Sequence, residues 1–517
     1  MPRYKPYDYR QTVMLPVDFE QQILPGTFEH SVHYLVDNEL DLSLFASKFN
    51  NDATGRPAYD PAILLKIVLL AYSRGVTSSR KIEALCRENV IFMALSADSR
   101  PHFTTIAEFI SGSSEQIADL FQQVLMTCDA LGLIGKEMFA VDGCKMPSNA
   151  SKEWSGTKAD LKKKAQKIDK AVRFLLGKHR EEDKRGAPNP TVRQREEKQQ
   201  ETLRKASRKI KDFLGKNDER KGRSGKEVQS NITDPDSAKM KTSHGVIQGY
   251  TGVAAVDGKH QVVVAAEAFG TGQEHGLLEP MIDQMREAFN GEKVKDGDEI
   301  LREAKVLADS GYHCGETLDS LEEQQVDAYI ADKGFRGRDP RFATASRHKP
   351  KEPPKPKTDK TLFAAADFQA DIEKQTCTCP AGKAMWLKCA RAKISGRLFM
   401  QFQAHQADCD GCTLRLKCLR NPRPKAARQV NILLGRETRE AGKSTPIERM
   451  KQKIDSALGR HIYGQRLGIV EPVFGNIRET LGLSRFSLRG KTKVDSQWKL
   501  MTLVHNIFKI HRYGWAL

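Results

Sequence analysis

Gly249-Tyr-Thr-Gly-Val-Ala-Ala-Val256 runs through Asp257-Gly258 into Gln261-Val-Val-Val-Ala-Ala266. Two β-rich apolar runs flank an Asp-Gly pair, and a primed turn needs positive φ at its central positions, so the stretch predicts a β-hairpin. Downstream, His275 to Phe289 has helical character, and Lys305-Val-Leu-Ala-Asp309 reads as a short buried strand. A helix from Gly315 to Gln325 and a strand Val326-Asp-Ala-Tyr-Ile-Ala-Asp332 follow. A hairpin followed by strand-helix-strand is a mixed sheet with crossover helices. Upstream, Met138-Phe-Ala-Val-Asp142 supplies a further short apolar strand, closed by Gly143. The expected class is α/β.

Asp142 and Asp309 share one local grammar: a short buried-type strand, a carboxylate at its C-terminal end, then glycine within two positions. If the two strands are neighbours, the carboxylates lie side by side at one sheet edge. They then repel each other unless a cation neutralises them, and hard oxygen ligands suit Mg²⁺. Two metals ~4 Å apart can activate an attacking oxygen and stabilise a leaving one in phosphoryl transfer. Strand-terminal aspartates also commonly cap turns, and spacing alone leaves both readings open.

Outward from this centre the character changes. Residues 59–125 read as helical: Pro61 to Tyr72 has helical apolar spacing, Ser78 offers an N-cap for a run to Cys86 after Gly75, and a third helix follows Phe103-Thr104-Thr105. Short helices with basic turns suit a helix-turn-helix-like DNA module or a plain bundle for packing or dimerisation. Residues 157–228 form a Lys/Arg-rich, helix-favouring insert broken near Gly186-Ala-Pro-Asn-Pro190. Its lysines, among them Lys162, Lys163, Lys164 and Lys167, suit a DNA backbone, or equally a solvated helical hairpin. Residues 340–360 are a Pro/Lys/Arg-rich linker, 361–425 a cysteine-bearing insert, and the chain is helical again from Pro446. The expected domains are a helical 1–130, a catalytic 131–340, a linker and cysteine-rich 341–445, and a helical 446–517 that completes the catalytic domain.

Lys and Arg number 84 against 66 Asp and Glu, a net charge of +18 over 517 residues. That excess favours a polyanionic partner, with nucleic acid the default. The longest apolar stretch, Ala62 to Ala71, is interrupted by Lys66 and falls short of the ~18 residues a membrane span requires. The N-terminal Met-Pro-Arg-Tyr-Lys-Pro-Tyr lacks a signal-peptide core, so a cytoplasmic location is expected. Ten cysteines in such a chain point to metal rather than disulfides. Cys409-Asp-Gly-Cys412 has the turn spacing of a zinc site, and Cys418 and Cys379 complete a tetrahedral set in a small zinc-ribbon-like insert. Cys377 and Cys389 are spares, and unliganded thiols are the alternative. His244, His275 and His313 read as structural histidines. Asp234 and Asp236 read as a capped turn or a DNA-positioning loop.

Tyr463-Gly-Gln-Arg466-Leu-Gly-Ile-Val-Glu471-Pro-Val-Phe-Gly-Asn-Ile-Arg478 resembles the third motif of bacterial insertion-sequence transposases of the DDE type. Gly55-Arg-Pro-Ala-Tyr59, His102 to Thr105, Phe139 to Gly143, Asn231 to Ser237 and Leu307 to Tyr312 resemble the same branch, so the likeness runs from about residue 40 to 510. The resemblance implies a ribonuclease-H-like mixed sheet with flanking helices. It also implies an enzyme that cuts the ends of its element and joins them to target DNA by two-metal phosphoryl transfer, using Mg²⁺ or Mn²⁺. Asp142, Asp309 and Glu471 would be the metal-binding carboxylates, and Arg466 would contact phosphate with Tyr463 and Arg478 beside it. Double-stranded DNA, as terminal inverted repeats and as target, is the implied partner, with a homodimer or higher oligomer on DNA. A DNA-binding protein without catalysis and a nuclease without strand transfer are the rivals. Four residues separate Arg466 from Glu471 where the general pattern has three. Pro472 predicts a kink or a helix start, because an interior proline clashes with the carbonyl of Gly468.

Overall fold

The computed structural model describes residues 17–48, 57–186, 190–222, 225, 227–243, 245–290, 297–342, 362–394, 397–420, 426–436 and 444–514. His244, Gly55, Arg56, residues 1–7, the break at 187–189 and most of the 340–360 linker therefore lie outside the described residues. The chain forms two compact units, residues 1–335 with 446–517, and residues 336–445.

The first unit begins with α1 (Phe28–Tyr34), α2 (Pro61–Ser73), α3 (Ser79–Glu88), α4 (Val90–Leu95), α5 (Phe103–Gly112) and α6 (Ser114–Ala130). Pro61 occupies the first turn of α2, where its missing N–H costs nothing, and the Asp60 side chain caps Ala62 N. Residues Leu64 to Tyr72 are all buried, and Lys66, which interrupts the apolar run, pairs with Asp37 at 2.6 Å. Ser78 stands at the N-cap of α3 but makes no side-chain cap.

The sheet opens with β1 (Met138–Pro147), and β2 (Ser155–Gly156) leads into the insertion. There α7 (Lys158–Arg185) begins on a Thr157/Asp160 capping box and ends on the left-handed Gly186, and α8 (Pro190–Lys216) returns along it. Leu161, Ala165, Ile210 and Phe213 bury their seam, while most of the lysines are exposed. The chain continues through β3 (Ser230–Asn231), β4 (Ala238–Thr242), β5 (Gly245–Asp257), β6 (Val263–Phe269), α9 (Leu278–Phe289), α10 (Gly297–Glu303), β7 (Lys305–Ala308), α11 (Gly315–Glu323) and β8 (Asp327–Ile330). The main sheet has the order β4-β5-β1-β7-β8, with β6 also paired to β5. β1 is antiparallel to β5 and parallel to β7, which is parallel to β8.

The predicted hairpin is β5–β6, but its turn is not the primed Asp-Gly turn. The positive φ falls on Gln261, and the Asp257 carboxylate instead accepts the N–H groups of Gly135, Lys136 and Lys259 at 2.8–3.0 Å. The buried carboxylate thus ties the loop to the entry of β1. The helix read from His275 starts only at Leu278, leaving 270–277 as a loop. Asp142 does not end its strand either: pairing with β7 stops at Val141, whereas pairing with β5 continues to Pro147.

The second unit carries β9 (Gln369–Asp371), β10 (Thr376–Thr378), β11 (Ala384–Ile394), β12 (Arg397–Ala404), α12 (Gln406–Asp410), α13 (Arg415–Cys418) and β13 (Gln429–Arg436). Its strands form an antiparallel sheet of order β13-β12-β11-β10-β9 over a core that includes Phe402, Met400 and Val430.

Back in the first unit come α14 (Pro446–Asp455), α15 (Ala457–Gly464), α16 (Arg466–Gly475) and α17 (Lys491–Lys509). Pro472 lies inside α16, so the helix does not start there. The Gly468 carbonyl, which proline cannot bond, accepts instead from Gln261 Nε2 at 3.0 Å. α17 is the spine of this unit, packed against α2, α5, α6 and β6. Asn506 bonds both backbone groups of Val263 at 2.8 Å, and Asp495 accepts from Ala268 N at 2.7 Å, covering an otherwise open sheet edge. Asp234 and Asp236 cap the start of α17, accepting from Gly490 N at 3.0 Å and Lys491 N at 2.8 Å, while Tyr250 donates to Asp234 at 2.7 Å. These contacts are those of a capped turn.

Candidate active site

Parallel pairing aligns Val141 with Ala308, so the next residue of each strand, Asp142 and Asp309, emerges at the same sheet edge. The Arg466 guanidinium at the start of α16 stands with both. Its Nη1 donates to Asp142 Oδ2 at 2.7 Å, and its Nη2 lies 3.6 Å from Asp309 Oδ1. Asp142 Oδ1 also accepts from Gly143 N at 2.8 Å. Burial pushes the Asp142 carboxyl above its ordinary pKa, and the like charge of Asp309 adds to this, against the pull of Arg466. Arg466 is itself buried, with 8% of its side chain exposed. Burial disfavours its charge, but Asp142, Tyr463 and Asp309 outweigh that and hold its pKa above the usual value.

Tyr463 on α15 packs edge-on against Phe335, with ring centroids 5.1 Å apart, and Arg466 lies 5.9 Å from its ring. Burial raises the Tyr463 hydroxyl pKa. Glu471 is on the same helix as Arg466 and is exposed, as is Arg478 beyond it. Five residues on an α-helix turn about 140°, so Glu471 sits on the flank of α16 rather than on the buried face of Arg466, Ile469, Val470 and Val473. The structure thus brings together Asp142, Asp309, Arg466 and Tyr463, and places Glu471 and Arg478 on the adjoining surface. Among the described residues, no three His, Cys, Asp or Glu side chains stand close enough to hold a metal ion.

Two family models match the chain: residues 378–511 match one described as "Transposase DDE domain", and 17–112 one described as "Transposase domain (DUF772)". The two matches indicate an insertion-sequence transposase of the DDE type. No curated protein and no solved structure matches it. The first match covers Arg466 and Glu471, and Asp142 and Asp309 precede it.

Sequence reading missed Glu274 beside the carboxylate pair and gave Tyr312 no role of its own. Glu274, in the loop before α9, pairs with Lys145 at 3.2 Å, and its carboxylate occupies the space where a Cβ on Gly311 would lie. Gly311 is therefore required by a close approach, which is the signal a lone Asp-Ser-Gly could have carried. Tyr312 is fully buried beneath Gly143, and its hydroxyl has no hydrogen-bond partner among the described residues. Burial, then the charges of Asp142, Glu274 and Asp309, raise its pKa well above the ordinary range. Burial pushes the Cys144 thiol up to about 11, so it is protonated at neutral pH and unsuited to act as a nucleophile.

In the second unit Cys379, Cys409, Cys412 and Cys418 line one cavity of about 30 Å³ with Arg428 and Asp408. Cys379 N accepts no role in the sheet; it donates to Lys383 O at 2.9 Å, and Gly382 N donates back to Cys379 O at 2.8 Å, closing a tight turn on the left-handed Gly382. Cys377 is buried in β10 against Met385, and Cys389 lies on β11, so neither lines this cavity.

Proposed function

We propose that this transposase cuts the ends of its element and joins them to target DNA by metal-assisted phosphoryl transfer, with Asp142, Asp309 and Glu471 as its carboxylates. The observation that carries the reading is the Asp142–Asp309 pair at one sheet edge, neutralised by a cation from the helix that also bears Glu471. The order β6-β5-β1-β7-β8, antiparallel up to β1 and parallel beyond it, supports a ribonuclease-H-like catalytic domain. The paired carboxylate oxygens fit Mg²⁺ or Mn²⁺, which would supply activation of the attacking oxygen and charge stabilisation at the leaving one.

The chain's own groups set the geometry. Asp142 and Asp309 present two carboxylates at one sheet edge, with Arg466 already offsetting part of their charge. Arg466 has further donors for a phosphate oxygen beside the pair, and Tyr463 and Arg478 flank the cut. In this reading water and then a freed 3′-OH attack phosphorus, with no protein–DNA covalent intermediate. Residues 1–130 serve DNA binding or assembly, 131–340 and 446–517 the catalytic domain, and 341–445 a linker and zinc-ribbon-like insert. Lys162, Lys163 and Lys167 of α7 are exposed toward a DNA backbone. Lys164 is less available, lying 4.6 Å over the Trp154 ring. A homodimer or higher oligomer on DNA, in the cytoplasm, completes the reading.

The test incubates purified protein with duplexes carrying the element's inverted repeats and Mg²⁺ or Mn²⁺, then maps nicks and joints. Nicks at the repeat termini joined to a second DNA are expected. Cut ends that never join would make the protein a nuclease, and intact DNA that is still bound would make it a binding protein.

The Cys-x2-Cys spacing suits a structural Zn²⁺ on Cys379, Cys409, Cys412 and Cys418, which line one cavity although no three of them are drawn together as ligands in this structure. Protein prepared without chelators is then expected to carry about one zinc per chain. Cys412→Ser should lower that content and destabilise the second unit. Elemental analysis that finds no zinc in the unaltered protein would remove the assignment.

A further inference from the structure

We propose that the groove between residues 220–222 and 227–229, edge strand β4 and the 270–275 loop holds the sugar–phosphate backbone of one DNA strand next to the cleaved phosphate. The proposal rests on the transposase reading above. The groove encloses about 1110 Å³, and its lining includes Arg220, Lys221, Lys239, Lys241, Gln229 and His275. Glu227 is the one carboxylate among its described lining residues, and it already accepts from Lys158 N.

Arg220 builds the wall rather than the binding surface. Its guanidinium donates to the carbonyls of Pro235, Ser237 and Gly270, which fastens the chain at Arg220 to the sheet. The cations left for a ligand are Lys221, Lys239 and Lys241, all exposed and in no ion pair among the described residues. Strand alternation sets the geometry of two of them. Met240 is buried against Gly272 and also lines the groove, while Lys239 and Lys241 share the exposed face of the strand, roughly 6.8 Å apart along it. Each carries its ammonium on a flexible four-carbon stem, so the pair can meet two phosphates of one strand.

The groove also leads to the right place. Gln273 and His275 line it, and Glu274 between them turns to Lys145 and packs against Gly311, two residues past Asp309. A strand in the groove therefore runs to the edge that carries the aspartate pair.

Edge-strand lysines also serve to block strand pairing between molecules, and the experiment separates that role from DNA binding. Lys239→Glu/Lys241→Glu keeps the edge charged but repels phosphate, and Lys239→Gln/Lys241→Gln removes the charge alone. Affinity for an inverted-repeat duplex is measured across a salt series with EDTA, so that nothing is cut, alongside thermal melting and sedimentation. The Gln pair should flatten the slope of log affinity against log salt by about 1.8, roughly 0.9 for each lost contact. The Glu pair should bind at least ~10-fold more weakly while remaining monodisperse and melting as the unaltered protein does. If both pairs bind with the original affinity and slope, the groove proposal is wrong, even where the unaltered protein nicks the duplex. An unaltered protein that binds but never nicks with Mn²⁺ would instead sink the transposase mechanism and leave the groove standing.

Discussion

Asp142→Asn should abolish most nicking while leaving DNA binding intact. The carboxamide keeps the size of the carboxylate and its one oxygen can keep either the Gly143 N–H or the Arg466 donor, so the strand edge should largely keep its shape. What it loses is the charge that favours a cation beside Asp309. Removing one preorganised charge-stabilising group typically costs on the order of 100- to 1000-fold in kcat, and a comparable fall is expected here. Binding should hold or improve slightly, because a negative group near the phosphate is gone. Glu471→Gln should behave alike although Glu471 is exposed on α16 and far along the chain. Asp332 is the control: it also follows an apolar strand, but its Oδ2 accepts from Gly334 N at 3.0 Å, as a turn cap does. Asp332→Asn should therefore retain substantial nicking. The four proteins are compared for metal-dependent nicking and duplex affinity. Robust nicking by Glu471→Gln would show that the third carboxylate lies elsewhere.

Trp498→Ala should be the most damaging single change to the fold of the first unit. Trp498 is fully buried on α17, and its Nε1 donates to Val253 O at 2.8 Å. Its ring stacks on Phe474 of α16 at 6.1 Å and meets Phe486 edge-on at 6.5 Å. It also lies over Gly252, where a Cβ would come within 3.1 Å of the indole. One side chain thus fastens the spine helix to the strand beside β1 and to the helix that carries Arg466. Truncation to alanine removes the transfer energy and leaves a cavity, about 3–5 kcal/mol together. The unpaired Val253 carbonyl adds to the loss, on the order of 1 kcal/mol. Trp498→Phe keeps most of the packing and loses the N–H, so it should cost much less. Urea unfolding of the three proteins measures this. A loss below about 1.5 kcal/mol for the alanine variant would mean that the α17–sheet contact is not what holds the unit together.

Local chemistry was enough to read the elements that border the site. Short continuous apolar runs marked β1, β5, β6, β7 and β8, because strands covered on both faces are apolar throughout. Apolar spacing from Pro61 and the basic run from residue 157 marked the helices, whereas the cap expected of Ser78 is not made and those of Asp60 and Thr157 appear only in the structure. The resemblance in the third motif and the family matches agree on a transposase. The details that failed were those decided by distant partners. Asp257-Gly258 did not form the primed turn because the Asp257 carboxylate is held by three N–H groups, two of them from the entry to β1. Pro472 did not break α16 because a glutamine more than two hundred residues away satisfies the carbonyl it leaves open. Above all, the sequence by itself determined that two strand-borne aspartates and a distant arginine exist. Only the tertiary structure decided that the arginine stands between them, because parallel pairing of β1 with β7 and the packing of α16 on that sheet join segments more than three hundred residues apart.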